Sequence, residues 1–157
     1  MSLLRDLIQR NPPMANLTIK VGTAHVNLSP VLFRHSARDY FKCYLDFQKA
    51  GKFSPVPFFL CCRGIELALK ARHLESKSQK EVKDLYSHDL VKSYSKLDSS
   101  QRTLLREELD LLTAANNIYV KKHFEYLNVF DAGTAYKRFP DLEKLGALAK
   151  KIIGYDT

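Results

Sequence analysis

The sequence predicts an all-α protein: an up-and-down bundle of four main helices plus short helices, preceded by an irregular or hairpin-like N-terminal arm. Three observations predict it. Apolar residues recur at helical spacing from residue 30 onward, Ser-Pro and Pro-Asp pairs mark helix starts, and Gly51 and Gly154 mark helix ends. The 157 residues suit one domain, since two separate cores would each be small and marginal. Residues 1–29 read as a short helix and extended arm, and residues 30–157 as the bundle.

Residues 2–9 have the pattern of a short helix, stopped by Asn11-Pro12-Pro13. From Leu17 to Leu28 apolar residues alternate around Gly22-Thr23, the mark of a short hairpin or extended arm. Ser29-Pro30 then starts a helix over about 30–50, with Ser as cap and Pro in the first turn. Ser54-Pro55 repeats the signal for a helix over about 55–75, apolar nearly all round and therefore central. Residues 76–86 are polar and read as a loop or a frayed connection. His88-Asp89-Leu90 opens a shorter helix ending near Leu97. Asp98-Ser99-Ser100 caps a long one from Gln101 to about Lys122. Phe130–Phe139 reads as a loop. Pro140-Asp141 starts the last helix, which Gly154 stops after about Ile153.

Composition removes several classes. Hydrophobic residues at 45% and charged residues at 27% are globular values and exclude global disorder. No run approaches the roughly 18 apolar residues of a membrane span. The opening MSLLRDLIQRNPP is interrupted by Arg5, Asp6 and Arg10, so a cytoplasmic protein without membrane contact is expected. Cys43, Cys61 and Cys62 form no disulfide framework and no zinc spacing, and read as buried thiols. The sequons at Asn16 and Asn27 carry no meaning without secretion. No metal or cofactor is called for. The formal charge is +8; residues 1–75 hold 11 basic and 5 acidic groups, residues 76–157 hold 14 and 12. That bias fits attraction to phosphate, and fits a merely soluble basic protein equally well.

Two stretches hold chemistry. On the central helix, Phe59, Arg63, Glu66, Lys70 and His73 fall on one narrow ridge at about 100° per residue. Either this is the wet side of an amphipathic helix, or it is a polar bracket, partly buried, that holds a neighbouring helix start at His88-Asp89 or lines a ligand groove. Downstream, AANNIYVKKHFEYLN (114–128) puts Tyr119, Lys122, His123 and Tyr126 near one helical face. Cations there would meet a phosphate and tyrosines would stack on a base. Asn116, Asn117, Tyr119, Lys121, Lys122 and Tyr126 are thus candidate RNA or nucleotide contacts. His123 is the candidate for acid–base work, because an imidazole titrates near neutrality; His25, His35 and His88 have less in their surroundings to recommend them.

GIELALKA (Gly64–Ala71), SHDL (Ser87–Leu90), a Tyr/Lys-rich helix end and YKRFP (Tyr136–Pro140), in this order, resemble the HEPN-like proteins (higher eukaryote and prokaryote nucleotide-binding) over about residues 30–153. The resemblance implies a helical bundle, often dimeric, related to RNA-cutting and nucleotide-handling proteins. Active members are metal-independent ribonucleases carrying an Arg, four to six residues, then a His; the Arg polarises phosphate and the His moves a proton. Here no Arg stands at that distance before any histidine. Asn116, separated from His123 by six residues, holds the nearest equivalent place, and a neutral amide cannot supply the charge.

The resulting expectation is a non-catalytic or degenerate module that binds RNA, a nucleotide or a partner protein, as a homodimer. By analogy it would serve a prokaryotic defence or toxin–antitoxin system beside a nucleotidyltransferase. The alternatives are a ribonuclease using His123 with Lys121 or Lys122, and a purely structural interaction bundle.

Overall fold

The computed structural model describes residues 16–21, 24–47, 53–126 and 128–155. The expected helix over 2–9 and the Gly51 stop lie outside them. The fold is the all-α bundle that the sequence predicts. Its four main helices are α1 (Ser29–Asp46), α2 (Val56–His73), α5 (Arg106–Tyr119) and α7 (Leu142–Ile153). Between them lie α3 (Gln79–Tyr86), α4 (Leu90–Ser95), a 3-10 turn at Ser99–Gln101 and α6 (Val129–Gly133). Ahead of α1, β1 (Thr18–Val21) pairs antiparallel with β2 (Ala24–Asn27), Thr18 opposite Asn27.

As its apolar circumference requires, α2 is central. It packs against α1, α4, α5 and α7, and Cys61, Cys62, Ile65, Leu69 and Ala71 are fully buried. Burial pushes the Cys61 thiol up to about 12 and the Cys62 thiol upward too. Cys43 departs from the expectation of buried thiols, for it lies on the exposed side of α1.

Local capping explains most helix starts. Asp89 accepts the Lys92 N–H and Asp141 accepts the Lys144 N–H, while at α2 the cap position is Pro55 and Ser54, one residue earlier, accepts the Val56 N–H. Gly154, at φ +67°, closes α7. Ser29 has a different role from the expected cap. Its hydroxyl accepts the Leu17 N–H at 2.7 Å and the Gln79 side-chain amide at 3.1 Å, so it ties the arm to α1 and α3. The Asn27 amide donates to the Leu74 carbonyl and Asn16 accepts the Gln79 N–H, which lays the arm over the α2–α3 corner.

Four boundaries differ from expectation, the first being the end of α1 at Asp46, short of the expected residue 50, where Phe47 turns extended. Residues 79–86 form α3, because Ser78 and Glu81 make a reciprocal capping box and Val82 and Tyr86 bury one face. The 101–122 helix shortens at both ends to α5. At its start the Leu104 N–H donates to the Tyr94 hydroxyl and Leu105 N–H to Glu108. At its end Lys122 takes a left-handed conformation, φ +59°, and turns the chain away. Finally, the expected 130–139 loop contains α6, capped by Asn128.

Candidate functional site

Glu66 lies at the centre of α2 and is 2% exposed. A carboxylate in that position requires partners, because leaving water costs several kcal/mol per ion. It has four. Lys70, one turn on, places Nζ 2.5 Å from Oε1, and Arg63, one turn back, places Nη1 3.0 Å from Oε2. The Tyr119 hydroxyl, from α5, donates to Oε2. His88, leading into α4, sets Nδ1 3.2 Å from both oxygens. A carboxylate only accepts, so Nδ1 carries the proton and donates.

The titration of the cluster follows. Burial pushes the Glu66 carboxyl up, but Lys70, the Tyr119 hydroxyl and Arg63 together hold it below its ordinary range. Burial and the neighbouring carboxylate push the Tyr119 phenol up, so it stays a neutral donor. Burial works against the charge on Arg63, yet Glu66 and Tyr119 hold its pKa above the usual guanidinium value. Glu66 is therefore an anion that orders cations around it, and a poor proton acceptor.

Two cavities open beside this cluster and share Arg63 and His88 as lining. One, of about 310 Å³, lies against α2 and α3 and is walled by Lys70, Lys83 and Phe33. The other, of about 280 Å³, lies against α1, α2 and α5 and is walled by Tyr40, Phe59, Tyr119, Lys122 and Glu125. The Arg63 guanidinium sits 5.9 Å from the Tyr40 ring centre, close enough for a cation–π contact.

The polar ridge is thus a bracket, and the wet-face reading is overturned at Glu66. Arg63, Glu66 and Lys70 meet as their spacing suggested, and Phe59 lines the groove. His73 leaves the group. It is buried, donates from Nε2 to the Ser93 carbonyl at 2.9 Å and stacks on Tyr86 with centroids 4.1 Å apart.

The 114–128 residues do not share a helical face, because α5 ends at Tyr119. Tyr119 and Lys122 reach the groove. Asn116 is buried and structural: Oδ1 accepts the Leu90 N–H at 2.8 Å and Nδ2 donates to Asp89 at 3.1 Å. Asn117 and Lys121 are exposed, and so is Tyr126 at 65%.

His123 belongs to a separate cluster. Arg138 grips the fully buried Asp131 through Nε and Nη2, and the same Nη2 donates to His123 Nδ1. The hydrogen bond from Arg138 holds Asp131 below its usual carboxylate range against the opposing effect of burial, and the Arg138 charge adds to it. Of the YKRFP stretch, Tyr136 stacks on Phe53 at 3.9 Å and Phe139 packs edge-on to Phe58 and Phe124. Rings and ion pair together fasten the chain between α5 and α7.

Sequence reasoning passed over Tyr40 and Lys83 as site residues and gave His88 little weight. The Ser78–Glu81 capping signal would have placed Lys83 on a helix; nothing local announces Tyr40. Among the described residues no group of three His, Cys, Asp or Glu side chains is arranged to hold a metal ion, and no helix is long and apolar enough to cross a membrane. Compared with known proteins, the chain matches no family model, no curated protein and no solved structure.

Proposed function

We propose that the protein is a HEPN-like module that binds RNA or a nucleotide through phosphate and does not cut it. The observation that carries this reading is the junction of the two cavities at Arg63 and His88, both anchored on Glu66. The Arg63 guanidinium and the His88 ring at that junction are held in place before a ligand arrives, which lowers the entropy lost on binding. Lys83 and Lys122 extend the positive lining to either side, and aromatic rings stand beside it, the combination that suits a nucleotide. Binding of labelled single-stranded RNA at rising salt tests the reading. Affinity should fall steeply with salt, and Lys83→Glu with Lys122→Glu should weaken it about tenfold or more at low salt. Affinity indifferent to both would remove the groove from RNA binding.

One observation favours the ribonuclease alternative: the cation seen against His123 is Arg138, 15 residues downstream. Asp131 already holds that guanidinium by two bonds, so its charge is largely met within the protein. Cleavage of labelled RNA that disappears in His123→Ala and Arg138→Ala would favour this reading; absence of cleavage by the unaltered protein would dismiss it.

A further inference from the structure

We propose that the groove receives a nucleoside bearing a terminal phosphate monoester, with the phosphate in the α2–α3 cavity and the base in the α1–α5 cavity. This rests on the reading of the groove as a phosphate site and specifies which phosphate it selects. Among the described residues the α2–α3 cavity is lined by Arg63, Lys70 and Lys83 and by no carboxylate. Behind it Glu66 offsets one of the three charges, which leaves a surplus of two before His88 is considered. A phosphate monoester carries close to two negative charges near neutral pH, because its second pKa is about 6, whereas an internal phosphodiester carries one. Two surplus charges match the monoester. Phe33, Leu67 and Val82 share the lining, and such apolar walls lower the local dielectric and strengthen each charge–charge contact.

The second cavity is richer in rings. Tyr40, Phe59 and Tyr119 contribute three of them to its wall, and Glu125 there offsets the charge of Lys122. Rings stack on any base without regard to sequence. Arg63 and His88 line both spaces, so the sugar would pass between them. His88 Nδ1 is committed to Glu66, which leaves Nε2 as the ring's remaining polar atom for the ligand.

Titration calorimetry with the unaltered protein tests this, using AMP, adenosine, inorganic phosphate, and the dinucleotide ApA with and without a 5′-phosphate. AMP and phosphorylated ApA should bind about tenfold or more tightly than unphosphorylated ApA, the difference of one charge-assisted contact. Tighter AMP identifies a free nucleotide as the ligand, tighter phosphorylated ApA an RNA end. Lys83 is exposed and Tyr40 half-buried, so Lys83→Gln and Tyr40→Leu should leave the fold intact, which a thermal melt checks. Lys83→Gln should weaken AMP and inorganic phosphate alike. Tyr40→Leu should weaken AMP and leave inorganic phosphate unchanged. Equal affinity for the two forms of ApA would overturn the terminal-phosphate inference while the wider phosphate reading stands. Failure of every nucleotide and of single-stranded RNA to bind at low salt would overturn both.

Discussion

Asn116 on α5 holds the first turn of α4: its Oδ1 accepts the Leu90 N–H at 2.8 Å and its Nδ2 donates to Asp89 Oδ1 at 3.1 Å. One amide thereby fixes the helix start that follows His88, and so helps set where the His88 imidazole meets Glu66. A residue whose sequence setting suggested contact with RNA acts from beneath the site.

Asn116→Ala should therefore destabilise the protein by about 1–3 kcal/mol, the cost of leaving a buried donor without its acceptor. Asn117→Ala, at the exposed neighbouring position, should stay within about 0.5 kcal/mol. Urea unfolding midpoints compare them directly. Equal effects would contradict the structural role of Asn116.

Glu66 makes stability depend on acid. Its folded pKa lies below the unfolded value of about 4.3, so the unfolded chain takes up the proton first. The stabilisation is present above the unfolded pKa and is lost as pH falls through the folded one. Glu66→Gln should flatten melting temperature against pH in that acid window. At pH 7 it should cost about 3–5 kcal/mol, since Arg63 and Lys70 would face no anion. An unchanged acid limb would show that other carboxylates govern it.

His73 should add a second dependence nearer neutrality. Burial holds its pKa below the ordinary value, with Lys77 and Arg72 adding to the effect and the Ser93 carbonyl and Asp98 opposing it. The folded state therefore keeps the ring neutral. Its contribution is complete above about pH 6.5, the unfolded value, and declines as pH drops towards the folded pKa. His73→Gln retains a donor for Ser93 and removes the titration. The slope of stability below about pH 6.5 should shrink in that variant, and a slope equal to the parent's would assign the effect elsewhere.

Gly64 sets the approach of α1 to α2. A Cβ there would lie 2.9 Å from Ile153 Cδ1 and 3.2 Å from the Ala37 carbonyl oxygen. Cδ1 is the far end of a flexible side chain, whereas the Ala37 oxygen belongs to the α1 backbone. Gly64→Val should cost about 1–3 kcal/mol through overpacking. Gly64→Ala should cost less, because its better helix propensity returns about 1 kcal/mol. Thermal melts that rank valine at or above glycine would show that the helices separate freely.

The Arg138–Asp131 pair should govern the integrity of the chain between α5 and α7. Arg138→Met leaves Asp131 buried without its cation, and limited proteolysis should then cut between residues 120 and 139 sooner than in the parent. Tyr136→Ala, which removes the ring stacked on Phe53, should have the same direction of effect. Unchanged cleavage kinetics in both variants would mean that this segment is secured by other contacts.

The helix starts at Val56, Leu90 and Leu142 were legible because capping acts within three residues. The Ser78–Glu81 box is equally local, but the polar residues around it hide the short apolar face of Val82 and Tyr86. The end of α5 was not legible: a lysine occupies the left-handed position where a glycine is the usual sign. The ridge of Arg63, Glu66 and Lys70 follows from helical spacing alone.

Sequence by itself determined the all-α class, the central place of α2 and the three charged groups aligned on it, since periodicity and capping are short-range properties of the chain. Tertiary structure decided that Glu66 is buried, that Tyr119 and His88 complete its shell, and that Arg138 meets His123. Those outcomes depend on segments 15 to 53 residues apart being packed together. The desolvation that makes such pairings necessary exists only once the helices have closed on one another.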